Sequence, residues 1–223
     1  MDDAADPAPA RDRFAVTDVA YLAGNSLGLM PLAAEERLAA RLAEWRALAV
    51  EAWFEAGWLE AAHDLCGALG RVVGAAPADV CATGSLTANL HLLLAALYRP
   101  TRERFRIVID ADAFPSDAHC VASHVAWHGL DPAEAVRTDV AALDASVAVV
   151  LRAGVSYLTG AAADIAGATA DAHAVGALAI WDLAHAAGNL ALDLAGADVD
   201  AAAWCGYKYL NGGPGAPAAL HVH

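Results

Sequence analysis

Short apolar runs alternate with helical patterns along most of this 223-residue chain. From Leu32 to about Ala52, and again from Leu59 to Val73, apolar residues recur at helical spacing, and a glycine then ends the second pattern. Further on, six apolar runs predict strands, at residues 79–83, 106–110, 147–152, 178–182, 201–205 and 216–222. Helical patterns separate the first four runs, at residues 86–98, 117–127 and 163–175.

The strand runs are continuously apolar, which predicts strands that are buried on both faces. We therefore expect an α/β fold in which a mainly parallel sheet is sandwiched by helices. The last two runs flank a glycine-rich loop and are expected to pair as a hairpin. Ligands of such sheets bind at the carboxyl ends of the strands, and polar groups follow several runs there, at residues 83–87, 110–117 and 182–185.

Charge and composition narrow the range of partners. The net charge is −14 and the pI is about 4.8, and because such a surface repels phosphate backbones we expect no nucleic-acid partner. No run reaches the roughly 18 apolar residues of a membrane span, and the acidic start lacks the basic region of a signal peptide. We expect a cytoplasmic protein with reduced cysteines. The nine histidines show no zinc-ligand spacing, so no metal is predicted.

The chain contains one lysine, Lys208, which lies between two tyrosines at the start of the glycine-rich loop. A lysine amine can form a Schiff base with an aldehyde, which arginine cannot do. The alternative is that a chain rich in arginine keeps one lysine by chance. Asp182 follows a buried strand, and His185 comes three residues later. A carboxylate at this apolar edge would stabilise a cationic ring nitrogen; the alternative is a helix cap or turn residue.

Other polar and aromatic residues follow the remaining strands. The stretch from Ser85 to Asn89 opens a helix, where hydroxyls and N–H groups suit a phosphate, unless they only cap the helix. Phe114 could stack on a flat heterocycle or belong to the core. Asp117 is either a helix cap or a site residue, and Tyr207 is a phosphate ligand, a proton donor or a hydroxyl bonded to a neighbouring loop. With the lysine and the strand-end aspartate, these groups predict a pyridoxal-phosphate site.

Five segments carry a resemblance to a known family. They read YLAGNSLGL, LTANLHLL, AFPSD, WDLAHAAGN and GYKYLNGGPG, at residues 21–29, 86–93, 113–117, 181–189 and 206–215. On these segments the chain resembles the kynureninases, pyridoxal-phosphate enzymes of the aspartate-aminotransferase-like fold. The resemblance covers nearly the whole chain from about Ala20. The GNSLGL, FPSD and YKYLN segments are much more specific to this family than the Asp and Lys pair that the wider fold shares.

The resemblance implies a role for each matching position. Lys208 would bond the cofactor aldehyde and act as a base, and Asp182 would pair with the pyridinium nitrogen. Tyr207 would bind the phosphate and act as a proton donor. The other implied contacts are Leu86 and Thr87 to the phosphate, Phe114 on the ring, Asp117 and His185 at the ring end, and Asn25 and Ser26 on the substrate side.

The resemblance also implies a reaction and a domain organisation. A homodimer would hydrolyse the Cβ–Cγ bond of L-kynurenine or 3-hydroxykynurenine to an anthranilate and L-alanine, in tryptophan catabolism and NAD biosynthesis. Residues 1–16 would be a flexible acidic arm, residues 17–55 would contribute to a small domain, and residues 56–223 would form an incomplete large domain that binds the cofactor. Family members continue into a C-terminal domain. The alternatives are therefore an inactive truncated fragment, or another lyase of this fold such as a cysteine desulfurase.

Overall fold

The chain forms two compact units in the computed structural model, which describes residues 10–223. Unit 1 consists of residues 10–61 and 206–216, and unit 2 consists of residues 62–205 and 217–223. More than half of the predicted arm, residues 1–16, lies outside the described residues. The predicted division into residues 17–55 and 56–223 stays a prediction.

Unit 1 is built from turns and two helices, α1 (Leu32–Leu48) and α2 (Ala52–Glu55). Helix α1 ends earlier than the apolar spacing predicts, because Ala49 has a φ of 48° and thereby leaves the helical conformation. All residues of α1 are described, and none of them is buried. The helix leaves a stripe of large apolar side chains exposed, formed by Leu38, Leu42 and Trp45.

Unit 2 is built on one mixed sheet. The strands are β1 (Val80–Ala82), β2 (Arg106–Ile109), β3 (Val136–Arg137), β4 (Val147–Ala153), β5 (Leu178–Asp182), β6 (Ala201–Trp204) and β7 (Ala219–Val222). Within the described residues their order is β1-β7-β6-β5-β4-β2-β3. Neighbouring strands from β3 to β6 run parallel, and β7 runs antiparallel to both β6 and β1. The expected pairing of the last two strands is thus confirmed.

Helices cover both faces of this sheet. The helices from Ala61 onward are α3 (Ala61–Val73), α4 (Leu86–Leu97), α5 (Pro115–Trp127), α6 (Pro132–Ala135) and α7 (Ile165–Ala174), and the last four pack on strands. Because successive strand residues face opposite sides, Ile107 belongs to the core under α4 and α5, whereas Val108 belongs to the core with Ala172 of α7. The predicted α/β sandwich is therefore confirmed. Among residues 10–223, no helix has the length and apolar content to cross a membrane.

Candidate functional site

Asp182 lies at the carboxyl edge of the parallel strands. It is the last residue of β5, and the strand register places it beside Ala153 of β4 and Ala203 of β6. The residue is 6% exposed, and its Oδ1 accepts a hydrogen bond of 2.7 Å from the backbone N–H of Ala184. The carboxylate therefore supports the following turn, which agrees with the alternative that Asp182 is a cap or turn residue. It also places a buried anionic group where α/β sheets bind ligands. His185 lies half-buried in the same turn.

Helix α4 begins a few residues after the end of β1. Ser85 is the N-cap of α4, and its Oγ accepts a hydrogen bond of 3.3 Å from the N–H of Ala88. Leu86 and Thr87 form the first turn, and both are half-buried. The capping alternative holds for Ser85, while the first N–H groups of the helix point out of its N-terminus, which favours an anion.

Phe114 and Asp117 lie at the start of α5, after β2. Phe114 is 43% exposed, so it does not belong to the core, and its ring centroid lies 5.1 Å from that of Tyr157 in an edge-on arrangement. Asp117 is the third residue of α5 and is 2% exposed, so the cap alternative is wrong for this residue. Tyr157 lies in the turn after β4; the sequence places it at this edge of the sheet, as a residue that follows a strand, but assigns it no role.

A half-buried ion pair fixes the ends of β2 and β4. Arg152 Nε lies 2.8 Å from Asp110 Oδ1, and the other carboxylate oxygen accepts a hydrogen bond of 2.9 Å from the N–H of Ala153. Such a bridge across two strands, with both oxygens used, holds the strand ends in a fixed register. Asp110 is therefore a positioning group at this edge.

In unit 1, the loop that carries Lys208 packs on the turn around Gly28. The N–H of Gly28 donates a hydrogen bond of 2.8 Å to the carbonyl of Tyr207. A Cβ at Gly28 would overlap the carbonyl oxygen of Lys208 and the side chain of Asn211. Only glycine permits so close an approach of two backbones. Asn25 and Ser26 lie in the same turn, where the N–H of Ser26 donates to the carbonyl of Ala23.

Lys208 lines a cavity of about 230 Å³ in unit 1. The hydroxyl of Tyr21, on its wall, is held by a hydrogen bond of 2.7 Å to the carbonyl of Leu27. Of the described residues, those that line the cavity are Phe14, Tyr21, Gly24, Gly28, Leu29, Lys208, Tyr209 and Asn211. The single lysine of the chain thus borders a space that could receive a small molecule.

The predicted site residues fall into two sets. Unit 1 contains Asn25, Ser26, Tyr207 and Lys208, and unit 2 contains Leu86, Thr87, Phe114, Asp117, Asp182 and His185. Their chemistry fits the groups of pyridoxal phosphate: a helix N-terminus for the phosphate, an exposed aromatic face for the ring, a buried carboxylate for the ring nitrogen and an amine for the aldehyde. The roles of these residues stay a prediction.

A second cluster, formed by His91, Cys120 and His124, was missed by the sequence reasoning. The ligand atoms of the three residues lie within 4.8 Å of one another. Burial lowers the pKa of His124, as do the neighbouring His91 and His128 rings, and burial raises the pKa of Cys120 to about 12 with help from the carboxylate of Asp117. The cluster escapes a spacing search because its members come from two helices; the spacing of four residues between Cys120 and His124 was the only local signal.

The sheet and its two helical layers define an α/β protein of the type that binds ligands at its strand ends. Comparison with known families gives the particular group. The chain belongs to the aminotransferase class-V family, whose sequence pattern matches residues 83–219.

Several curated relatives are kynureninases. That of Salinispora tropica is 47% identical over 234 residues, which cover 96% of this chain and 54% of the relative. That of Xanthomonas axonopodis pv. citri is 46% identical, over 99% of this chain and 58% of the relative. Kynureninase 2 of Aspergillus clavatus is 43% identical, over 91% and 49%. The resemblance predicted from the sequence is confirmed, and the chain spans about half the length of the curated relatives it matches.

Solved structures with the same fold act on sulfur amino acids or carry the cofactor. A cystine C–S lyase in complex with its product cysteine persulfide has a TM-score of 0.78 and covers 90% of this chain and 56% of that one. A variant of that lyase with glycine covalently linked to its PLP cofactor has a TM-score of 0.84, over 96% and 60%. The cysteine desulfurase of Thermococcus onnurineus NA1 has a TM-score of 0.79, over 97% and 57%. Each is 19% identical to this chain, which shows the fold alone.

Proposed function

We propose that this chain is the cofactor-binding part of a kynureninase. With pyridoxal phosphate, it would hydrolyse the Cβ–Cγ bond of L-kynurenine or 3-hydroxykynurenine to anthranilate or 3-hydroxyanthranilate and L-alanine. The observation that carries this proposal is the identity of 47% to a kynureninase over 96% of the chain. When bound, the cofactor supplies an electron sink for negative charge at the substrate's Cα.

The residues of unit 2 would hold the cofactor. Leu86 and Thr87, at the N-terminus of α4, would bind the phosphate through backbone N–H groups and a hydroxyl. Phe114 offers an exposed ring face for stacking. The buried carboxylate of Asp182 would keep the ring nitrogen protonated by charge attraction. Asp117 and His185 would contact the ring end, as the resemblance implies.

Lys208 and Tyr207 would move protons. The Lys208 amine would hold the cofactor aldehyde covalently and, once displaced by the substrate's own amine, would accept the proton of Cα. Tyr207 would serve as a phosphate ligand and, through its hydroxyl, as a proton donor to the substrate's Cβ after the Cβ–Cγ bond breaks. Asn25 and Ser26, in the adjoining turn of unit 1, would face the amino-acid substrate.

The test is an assay of the 223-residue chain with pyridoxal phosphate and L-kynurenine. We expect anthranilate fluorescence and L-alanine in equal amounts, both abolished in Lys208→Ala. A second candidate, a cysteine desulfurase, is favoured by the solved structures of that fold, and the same chain should then release sulfide from L-cysteine. Sulfide without anthranilate would overturn the kynureninase proposal. Absence of both products would favour the fragment without activity.

We also propose that two copies of the chain associate through the apolar stripe of α1, which we define as Leu38, Leu42 and Trp45. Helices in proteins gain most of their stability by packing an apolar face, and α1 has no buried residue within its own chain.

A cytoplasmic location is supported by four free thiols, one of them exposed at Cys81. The proposal also includes the domain organisation predicted from the sequence, with an arm at residues 1–16, a small-domain segment at 17–55 and a large domain at 56–223.

A further inference from the structure

His91, Cys120 and His124 lie together where α4 packs against α5. Their ligand atoms all lie within 4.8 Å of one another, and Nδ1 of His91 is 3.1 Å from Nε2 of His124. Cys120 and His124 are four residues apart on α5, which places them on one face of that helix. His91 projects toward the same place from α4, which packs on α5. The cluster thus draws its groups from two elements held together by a common core.

The distances in this cluster suit a small tetrahedral cation. Two ring nitrogens that each bind a zinc ion at about 2.0–2.1 Å are about 3.3 Å apart in a tetrahedron, close to the 3.1 Å observed between His91 and His124. A thiolate binds zinc at about 2.3 Å. A shift of the Cys120 sulfur by about 1 Å, through side-chain rotation, would therefore complete a three-ligand site.

His124 has more hydrogen-bonding capacity than the surrounding protein uses. The residue is only 3% exposed, and its Nδ1 is buried with no hydrogen-bond partner among residues 10–223. The contact with His91 occupies only the other ring nitrogen. Nε2, which faces His91, is the ligand atom in this arrangement, and Nδ1 on the other side of the ring carries the ring proton when Nε2 bonds an ion. The support for an ion is therefore the spacing of the three groups and the burial of Cys120 and His124.

We propose that His91, Cys120 and His124 form a binding site for a transition-metal cation, with Zn²⁺ as its natural occupant. Imidazole and thiolate are the donors that Zn²⁺ accepts, whereas Mg²⁺ and Ca²⁺ require oxygen ligands. On binding, the proton of the His91–His124 hydrogen bond moves by solvent exchange to the other nitrogen of the ring that carries it, so that both facing nitrogens offer lone pairs to the ion. The Cys120 thiol proton leaves to solvent, the thiolate bonds the ion, and no oxidation state changes. A water molecule completes the fourth position. His91 is half-buried and gives the ion a path from solvent.

The site lies one to two helical turns from residues proposed to hold pyridoxal phosphate. Cys120 and His124 follow Asp117 by one and two turns of α5, and His91 follows Thr87 by one turn of α4. A bound ion would therefore tie the two helices together behind their N-terminal turns. Its effect would be on stability and on the positions of those turns. The inference stands whether or not the chain is a kynureninase.

The test uses Co²⁺, a spectroscopic substitute for Zn²⁺, added to the purified 223-residue chain after chelator treatment. The metal-free protein is the spectral reference, so that any cofactor absorbance is subtracted. We expect one equivalent of Co²⁺ to produce a thiolate-to-metal charge-transfer band, and Zn²⁺ to displace it. Zn²⁺ should also raise the Tm of the chain, because a ligand that binds only the folded state stabilises it.

Single variants assign the ligands. Cys120→Ser should lose the charge-transfer band, and His124→Gln should weaken Co²⁺ binding by roughly tenfold or more, since one metal–ligand bond is lost. The matched controls are Cys66→Ser, a buried thiol on α3, and His128→Gln, just beyond α5. Both controls should keep the band and the Zn²⁺-dependent rise in Tm.

Three results would overturn the proposal. The first is a wild-type chain without a thiolate band, which would leave a hydrogen-bonded histidine pair only. The second is a band that survives in Cys120→Ser, which would assign the binding to another thiol such as the exposed Cys81. The third is a Zn²⁺-dependent rise in Tm that is the same in the wild type and in Cys120→Ser. Because the first and third are read on chains with a measurable Tm, misfolding of one variant cannot mimic them.

Discussion

Asp182 is the residue whose position argues most strongly for a cationic ligand in unit 2. Asp182→Ala removes a carboxylate that is 6% exposed at the end of β5. We expect the affinity for pyridoxal phosphate to fall roughly tenfold to hundredfold, because a hydrogen bond to a charged group contributes about 1.5–3 kcal/mol. Absorbance titration of the chain with the cofactor measures the change.

The control for this variant is Asp171→Asn, at an exposed position of α7. It changes the net charge of the chain by the same amount and should leave the affinity for the cofactor unchanged. Equal affinities of the wild type and Asp182→Ala would reduce Asp182 to a residue that supports the turn at Ala184.

Tyr98 links the end of α4 to the start of β2 and makes stability depend on pH. It is fully buried, and its hydroxyl donates a hydrogen bond of 2.5 Å to the carbonyl of Phe105. Burial raises the pKa of Tyr98 to about 12, whereas an unfolded tyrosine has a pKa of about 10. Between these values the folded chain keeps a proton that the unfolded chain loses, so stability falls as pH rises through this window.

Tyr98→Phe removes this dependence. Urea unfolding from pH 9 to pH 12 should show a shallower loss of stability in the variant than in the wild type. Near pH 7, where the hydroxyl is protonated in both states, the variant should be less stable by about 1 kcal/mol, because a buried hydrogen bond is lost. Parallel stability curves across the whole pH range would contradict the burial of this hydroxyl.

At the scale of elements, the turn around Gly28 determines how the Lys208 loop packs within unit 1. Gly28→Ala would push a methyl group into the carbonyl of Lys208 and the side chain of Asn211. We expect a loss of about 1–3 kcal/mol in the free energy of unfolding, the usual cost of overpacking, and weaker cofactor binding. The control is Gly24→Ala, four residues earlier, where a Cβ meets nothing within 4 Å. Similar urea midpoints for the two variants would contradict this packing.

The elements differ in how far the sequence predicts them. Strands β4 and β5 were predictable because each is a continuous apolar run buried in the sheet, and their helices follow from apolar spacing. Strand β3 was not, since two residues carry no periodicity. The end of α1 was also missed, because a positive φ at Ala49 is set by the local backbone and leaves no signal in an alanine.

The candidate site shows the same division between local and distant information. Asp182 and Phe114 were predictable because each directly follows a strand, and strand ends of a parallel sheet lie at one edge. The contact of Phe114 with Tyr157 and the cluster around His124 were not predictable. Both depend on tertiary packing of segments that are far apart in the chain.

At the scale of the whole molecule, the exposed stripe of α1 predicts self-association. Leu42→Glu places a charge at the centre of the stripe, and burying it in an apolar contact would be strongly unfavourable. Sedimentation equilibrium should give a dimer for the wild type and a weaker dimer, by roughly tenfold or more in Kd, for the variant. The control is Leu92→Glu, an exposed leucine on α4. A monomeric wild type, or an equal effect of both variants, would contradict the proposed interface.

The most direct test of the account is to find where pyridoxal phosphate bonds the chain, because the chain contains a single lysine. Reduction of the chain and cofactor with borohydride would fix the bond, and peptide mass spectrometry would locate it. The account predicts one reduced cofactor adduct, on the peptide that contains Lys208, and none in Lys208→Ala. A chain that acquires no adduct, or one in which Lys208→Ala acquires as much as the wild type, would contradict it.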